Sequence, residues 1–261
     1  MTALTQVLAL NAAVIGVTIL TLWVVATVRR DVSIVDLFWG CGFVLVAWMS
    51  AAQSFPWSGR ISLLAWLTTV WGLRLSWHLA RRNHGRPEDA RYAAMRAAHG
   101  TQFWWISLFS VFLLQGAILW FVSLPLQVAA VRDVPSRMTS VDALGAVVWS
   151  VGFMFESIGD WQLSRFQADP ANAGRVLDRG LWRYTRHPNY FGDCCVWWGL
   201  YLIAASAGAT WTVASPIVMT LLLLKVSGVA LLERTIGGRR PDYMAYRART
   251  NAFFPGPPKP D

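Results

Sequence analysis

Charge is scarce in this sequence: only 14% of its 261 residues are Asp, Glu, Lys or Arg, while 55% are hydrophobic. A water-soluble chain of this size cannot hide 16 Trp, 13 Phe and long Leu, Val and Ala runs without large exposed apolar patches, so a soluble globular protein is excluded. Cysteine is scarce too. Cys41, Cys194 and Cys195 form no CxxC pair and have no histidine at ligand spacing, which excludes a disulfide framework and a zinc site and leaves three buried thiols. No GxGxxG follows a strand-like run, so any dinucleotide must be held without a Rossmann fold. No Lys or Arg precedes Arg29, so the apolar run over 7–28 lacks the basic flank of a cleavable signal and reads as a retained first helix.

What is present is a series of apolar windows, each near the roughly 20 residues that a bilayer requires. They fall at 6–28, 33–52, 61–80, 103–124, 141–163, 190–206 and 211–232, the sixth being short and interrupted by glycine. Pro56 with Gly59, Pro125 with Pro135, Pro170 with Gly174, and Gly208 punctuate the gaps. The pattern predicts an all-α, polytopic membrane helix bundle of about seven transmembrane helices, forming a single domain over 1–261. With the N-terminus outside, 18 of the 23 Lys and Arg lie on the cytoplasmic side, Arg60, Arg132 and Arg137 lie outside, and Arg74 and Lys225 lie within spans. That asymmetry is the positive-inside pattern; it predicts a cytoplasmic C-terminus and residence in the inner (plasma) membrane. The net charge of +9 thus reports orientation among membrane lipids, and nucleic acid is not an expected partner.

Five ionisable side chains fall inside spans: Asp36, Arg74, Glu156, Asp160 and Lys225. Each costs roughly 2.5 kcal/mol or more to insert, so each calls for a functional or a pairing explanation. All five fall in the cytoplasmic half of their helices, which is the pattern of a shared wet cavity. The competing reading is that they pair among themselves and lock the bundle, and Asp36 and Lys225 lie near enough to helix ends to reach the interface. Glu156 and Asp160 are four residues apart and share one helix face. Gly145, Gly152 and Gly159 recur every seven residues on the same helix, a stripe suited to close helix packing rather than chemistry.

Two cytoplasmic connections, 81–102 and 165–189, are longer than helix-to-helix turns require. The second is dense in aromatic and basic residues, a composition that grips anions. The tail is similar until 256–261, which reads as a disordered end.

The segment Arg186-His187-Pro188-Asn189-Tyr190-Phe191-Gly192-Asp193 resembles the signature of the sterol reductases, which form one superfamily with the steroid 5α-reductases. Glu233, Tyr243, Tyr246 and Pro255 are spaced like the closing pattern of that superfamily, and Asn83-His84-Gly85-Arg86-Pro87 is similar to one of its turns, with His84 in place of an Arg. The likeness is good over about 142–255 and loose before it, and looks closest to a bacterial branch of uncharacterised steroid 5α-reductase family proteins. It implies a cofactor-binding half over 141–255 that takes NADPH, with Asn189 at the nicotinamide carboxamide and Asp160 and Asp193 lining the cofactor cavity. An Asn side chain carries both a donor and an acceptor, which suits a carboxamide. Arg179, Arg186, Arg234, Arg239, Arg240 and Arg247 are the candidate phosphate cations. Tyr184 and Tyr190 are candidate ribose or ring contacts, or else interfacial belt residues. Tyr243 and Tyr246 come with the closing pattern, and His187 either bonds a phosphate or shapes the turn.

The implied reaction is hydride transfer to an electron-poor C=C bond of a steroid-like or other lipid substrate, followed by proton delivery from a general acid. In the steroid 5α-reductases a Tyr and a Glu polarise the enone carbonyl, whereas this chain has Trp71 near the Tyr position. Either Glu156, Arg74 or Asp36 replaces the pair as catalytic group, or the substrate is not a 3-oxo steroid. The rival resemblance is to S-adenosylmethionine-dependent membrane methyltransferases of the isoprenylcysteine type, which share the RHPxY turn and the tail pattern. Asn189 with Asp193, and Asp160 beyond Glu156, favour the reductase. A non-catalytic transporter or scaffold leaves the basic loops without a role, and no inverted repeat is visible.

Overall fold

The computed structural model describes residues 2–135, 137–226, 229 and 242–259. Among the described residues there are helices and turns and no strand. The long helices are α1 (Ala3–Arg29), α2 (Ile34–Ala52) and α3 (Gly59–Asn83). A broken run follows through α4 (Ala90–His99), α5 (Phe103–Ser107), a π-helical stretch (Leu108–Leu113), α6 (Leu114–Val122) and α7 (Leu124–Ala129). Next come α8 (Ser140–Ala168), α9 (Pro188–Ser206), α10 (Ala214–Leu221) with a second π-helical stretch (Leu222–Val226), and α11 (Tyr243–Arg249). The seven apolar windows are helical over their described residues apart from turns at Ser33 and Ser123. By length and composition, Ala3–Arg29, Ile34–Ala52, Ala90–Val122 and Ser140–Ala168 are long and apolar enough to cross a membrane, and Thr210–Val226 is a shorter apolar helix.

Two connections differ from the sequence reading. The 81–102 segment is not a free loop, because Asp89 accepts the Arg91 backbone N–H and caps α4, which turns straight into the fourth apolar run. The 165–189 segment starts late, since α8 continues to Ala168, and it is then built from short 3₁₀ turns at Pro170–Asn172 and Gly180–Arg183.

The chain forms two compact units. The first comprises Met1–Thr139 with Ala204–Ser215. Its tightest pairing is α2 against α3: a Cβ on Gly40 would lie 2.7 Å from Ser76 Oγ, and one on Gly72 would lie 2.5 Å from Gly40 O. Beside this crossing Phe43 and Trp71 are fully buried, with ring centroids 5.8 Å apart. Trp71 is thus core packing. Asn11 Nδ2 donates to Ser50 Oγ (2.9 Å), an interhelical bond between α1 and α2. Arg60, read from sequence as an outer-loop cation, is fully buried. It pairs with Asp133 and donates to Pro135 O (2.6 Å), Arg137 O (2.8 Å) and Ser206 Oγ (2.9 Å), because a buried guanidinium must spend its donors inside the protein.

The second unit comprises Ser140–Ile203 with Pro216–Asp261. Helix α8 has two faces. Leu144, Val147, Val151, Met154, Ile158 and Trp161 form an exposed apolar stripe at intervals of three and four residues, whereas Gly145, Trp149, Gly152, Glu156, Gly159 and Asp160 are buried. From Val141 to Trp161 the exposed face runs about 30 Å, the thickness of a hydrocarbon core. It ends where the Arg165 guanidinium lies 5.6 Å over the Trp161 ring, an arrangement suited to a membrane boundary.

Candidate functional site

The site in the second unit is set by glycine. The α8 stripe of Gly145, Gly152 and Gly159 packs against α9, which carries its own glycines, Gly192 and Gly199, also seven residues apart. A Cβ on Gly152 would lie 2.5 Å from Gly192 O and 2.6 Å from Val196 N, and one on Gly199 would lie 2.6 Å from Trp149 N. A Cβ on Gly159 would lie 3.2 Å from both Asn189 N and Pro188 Cγ. The helices therefore run antiparallel with backbones nearly in contact, and the first turn of α9 rests on the turn of α8 that carries the carboxylates. Packing is what the stripe does, and its partner glycines on α9 were legible by the same spacing.

Glu156 and Asp160 are buried on this face. A Cβ on Gly192 would lie 2.8 Å from Glu156 Cβ, so only glycine leaves room for that carboxylic residue. Asn189 Nδ2 donates to Asp160 Oδ1 (3.1 Å), and Asn189 Oδ1 accepts from Tyr190 N (3.1 Å). An amide has two N–H groups and two acceptor lone pairs, so one of each on Asn189 carries no hydrogen bond among the described residues. Asn189 is half-buried, within reach of a ligand. Buried His187 stacks on Tyr190 (centroids 5.6 Å apart, 11° between planes), and its backbone N–H donates to Thr185 Oγ1 (3.3 Å). Asp193, half-buried, follows Asn189 by one turn.

The flanking segment is stitched to the tail. Arg186 Nη1 donates to Thr250 O (2.6 Å) and Arg247 O (3.1 Å), and Arg186 N donates to Asn251 O (2.9 Å). Thr185 Oγ1 donates to Phe253 O (2.8 Å), Tyr246 OH to Trp182 O (2.6 Å), and Gly256 N to Tyr184 O (3.1 Å). Arg249 pairs with Asp178 (2.6 Å), and Trp182 Nε1 donates to Gly159 O (3.1 Å). Burial foremost, together with neighbouring Tyr243, pushes the Tyr246 phenol above its usual value and keeps it a donor. The end expected to be disordered from 256 is held as far as Lys259, whose N–H donates to Arg249 O (2.8 Å): the prolines lack N–H groups, but Gly256 and Lys259 supply them.

The structure thus brings Glu156, Asp160, His187, Asn189, Tyr190 and Asp193 to one helix crossing. Arg186 donates to carbonyls of the tail, Tyr246 of the tail donates back to Trp182 O, and Tyr243 is buried beside Tyr246 (6.0 Å). Arg247 and Tyr184 are exposed, and the Arg179 guanidinium lies 6.0 Å over the Phe166 ring. Glu233, Arg234, Arg239 and Arg240 lie outside the described residues. In the first unit Arg74 is half-buried on α3. Asp36 accepts from Tyr92 OH (2.8 Å) and Arg91 Nη2 (2.9 Å); Tyr92 OH accepts from Gln115 Nε2 (3.1 Å), and Gln115 Oε1 from Trp39 Nε1 (2.6 Å). This network was not read from the sequence, since Asp36 and Tyr92 lie 56 residues apart, and Trp39 and Gln115 76 apart, with no local pattern to link them. Lys225 is exposed. Among the described residues, no group of three or more His, Cys, Asp and Glu is placed to hold a metal ion.

Comparison with known proteins finds an uncharacterized protein of Schizosaccharomyces pombe that is 24% identical over 246 positions, covering 84% of this chain and 67% of its own length. No solved structure matches. The family described as "Protein of unknown function (DUF1295)" matches residues 22–250, from the end of α1 through the glycine crossing to the clamped tail, and the chain belongs to that family.

Proposed function

We propose that this protein is a membrane-embedded reductase that uses NADPH to reduce a C=C bond in a steroid-like or other lipid substrate, as a member of the steroid 5α-reductase group. One observation carries the reading: Asn189, within a segment resembling that group's signature, is held by Asp160 with one donor and one acceptor left over. That pair matches the oxygen and amino group of a carboxamide, so the residues present fit a nicotinamide. NADPH, when bound, supplies the hydride.

The chain's own groups do the rest. Asn189 grips the carboxamide, with Asp193 and the His187–Tyr190 stack beside it. Arg179, Arg247 and the arginines of the tail hold phosphate, and Arg186 acts by shaping the segment on which they stand. Glu156 lies one turn from Asp160 on α8, at the same helix crossing as Asn189, and is the first candidate for proton delivery, ahead of Arg74 and Asp36. In this reading Trp161 and Arg165 stand at the membrane boundary, a water-soluble dinucleotide reaches Asn189 from the aqueous side, and a lipid reaches Glu156 from the bilayer.

The arrangement we favour has seven spans, the N-terminus outside, the C-terminus in the cytoplasm, and the plasma membrane as location. With Arg60 buried, the outer loops keep only Arg132 and Arg137 as exposed cations, which sharpens the positive-inside asymmetry. The test is thermal stability of the purified chain, which a ligand that prefers the folded state raises by about 2.7 kcal/mol at one hundred times its Kd. NADPH is expected to raise the melting temperature; a rise with S-adenosylmethionine alone would replace the reductase by a methyltransferase.

A further inference from the structure

We propose that Asp160 is a positioning residue: it fixes which way the Asn189 amide faces, and so makes the site read a carboxamide in one orientation only. The inference rests on the nicotinamide reading of Asn189 and adds a determinant to it.

A primary amide has two flip states that are nearly the same in shape and opposite in hydrogen bonding. At Asn189 the two flanking groups are not interchangeable. The Asp160 carboxylate oxygen at 3.1 Å can only accept, and the Tyr190 backbone N–H at 3.1 Å can only donate. One flip satisfies both; the other turns the amide oxygen toward a carboxylate and the amino group toward an N–H. Asp160 holds its end firmly, because it is buried and the adjacent Gly159 packs against Asn189 N while its carbonyl takes the Trp182 indole N–H (3.1 Å). The leftover N–H and lone pair therefore keep a fixed order across the amide, and a ligand carboxamide must present its oxygen and its amino group in the matching order.

The experiment compares two probes on the full chain in detergent: NADPH, and 2′-phospho-ADP-ribose, which lacks the nicotinamide. Affinities are read by titration, without turnover. Loss of one charge-assisted bond predicts that Asp160→Ala weakens NADPH by about tenfold while 2′-phospho-ADP-ribose is unchanged. Asp160→Asn keeps an acceptor without the charge and weakens NADPH by about threefold, again selectively. In an Asn189→Ala background, Asp160→Ala adds nothing further for NADPH. Equal weakening of both probes would make Asp160 a structural or pocket-lining residue, and unchanged NADPH affinity would remove it from the site; either overturns the proposal. Should Asp160→Ala not fold, the selectivity of Asp160→Asn decides alone. A wild-type chain that binds neither probe overturns the nicotinamide reading itself, an outcome distinct from the other two.

Discussion

Two aspartates sit in apolar helices of this protein and are partnered in different ways. Asp36, in the first turn of α2, has one oxygen answered by Tyr92 and the other by Arg91, and the chain of donors behind Tyr92 runs through Gln115 to the indole of Trp39. Asp160 instead holds an amide that keeps a donor and an acceptor for something else. The lesson is that an ionisable group in a span marks a need for partners. Where the protein supplies them in full the group ties helices together, and where the partner keeps capacity the pair has hydrogen bonds to offer a ligand.

The largest expected effect comes from attacking the ground on which the second cluster stands. Gly152→Val puts a branched side chain where a single Cβ already lies 2.5 Å from Gly192 O. It is expected to cost roughly 3 kcal/mol, read as a lower melting temperature in detergent, with ligand binding lost alongside. Next, Tyr92→Phe leaves an Asp36 oxygen and the Gln115 amide without their shared partner, at a cost of about 2 kcal/mol, and leaves NADPH affinity as it was. A changed affinity with an unmoved melting temperature would break the contrast between the two aspartates. Asn189→Ala should do the reverse, weakening NADPH by about tenfold with little change in melting temperature; unchanged affinity and activity would remove Asn189 from the site.

The smallest effect is a pH dependence in the first unit. Burial raises the Glu88 carboxyl, but hydrogen bonds from Arg96 and the Val32 N–H outweigh it, so the group sits below its ordinary 4.5. A carboxyl whose folded value is depressed contributes stability that is fully present above the unfolded value and lost as pH falls through the folded one. Melting temperature should therefore fall as the pH drops below about 4.5, and Glu88→Gln should flatten that part of the curve.

Much of this was legible in the sequence, and for identifiable reasons. Helices that bury apolar surface or face lipid announce themselves by composition, and the glycine stripe of α8 announced close packing because its spacing returns to one face. Asn189, His187 and Tyr190 were singled out by a short segment in which local order and chemistry coincide, and Asp160 by being an ionisable residue inside an apolar span. The pairing of Asp36 with Tyr92 left no local trace, since it depends on how segments far apart in the chain meet. Arg186 shows what residue type leaves out: the guanidinium is buried, and its Nη1 donates to the Arg247 and Thr250 carbonyls, contacts that no local pattern announces. The proline-rich end shows the limit of compositional rules, since Gly256 and Lys259 are enough to dock it.

The stitching of residues 184–186 to carbonyls and N–H groups between Arg247 and Gly256 has a consequence for biogenesis. The turn bearing His187 and Asn189 leaves the ribosome some sixty residues before the strands of backbone that brace it. Nascent protein must therefore pass through an interval in which its helices are already inserted but that turn is unbraced, and a stop codon upstream of Tyr246 would hold it there for good.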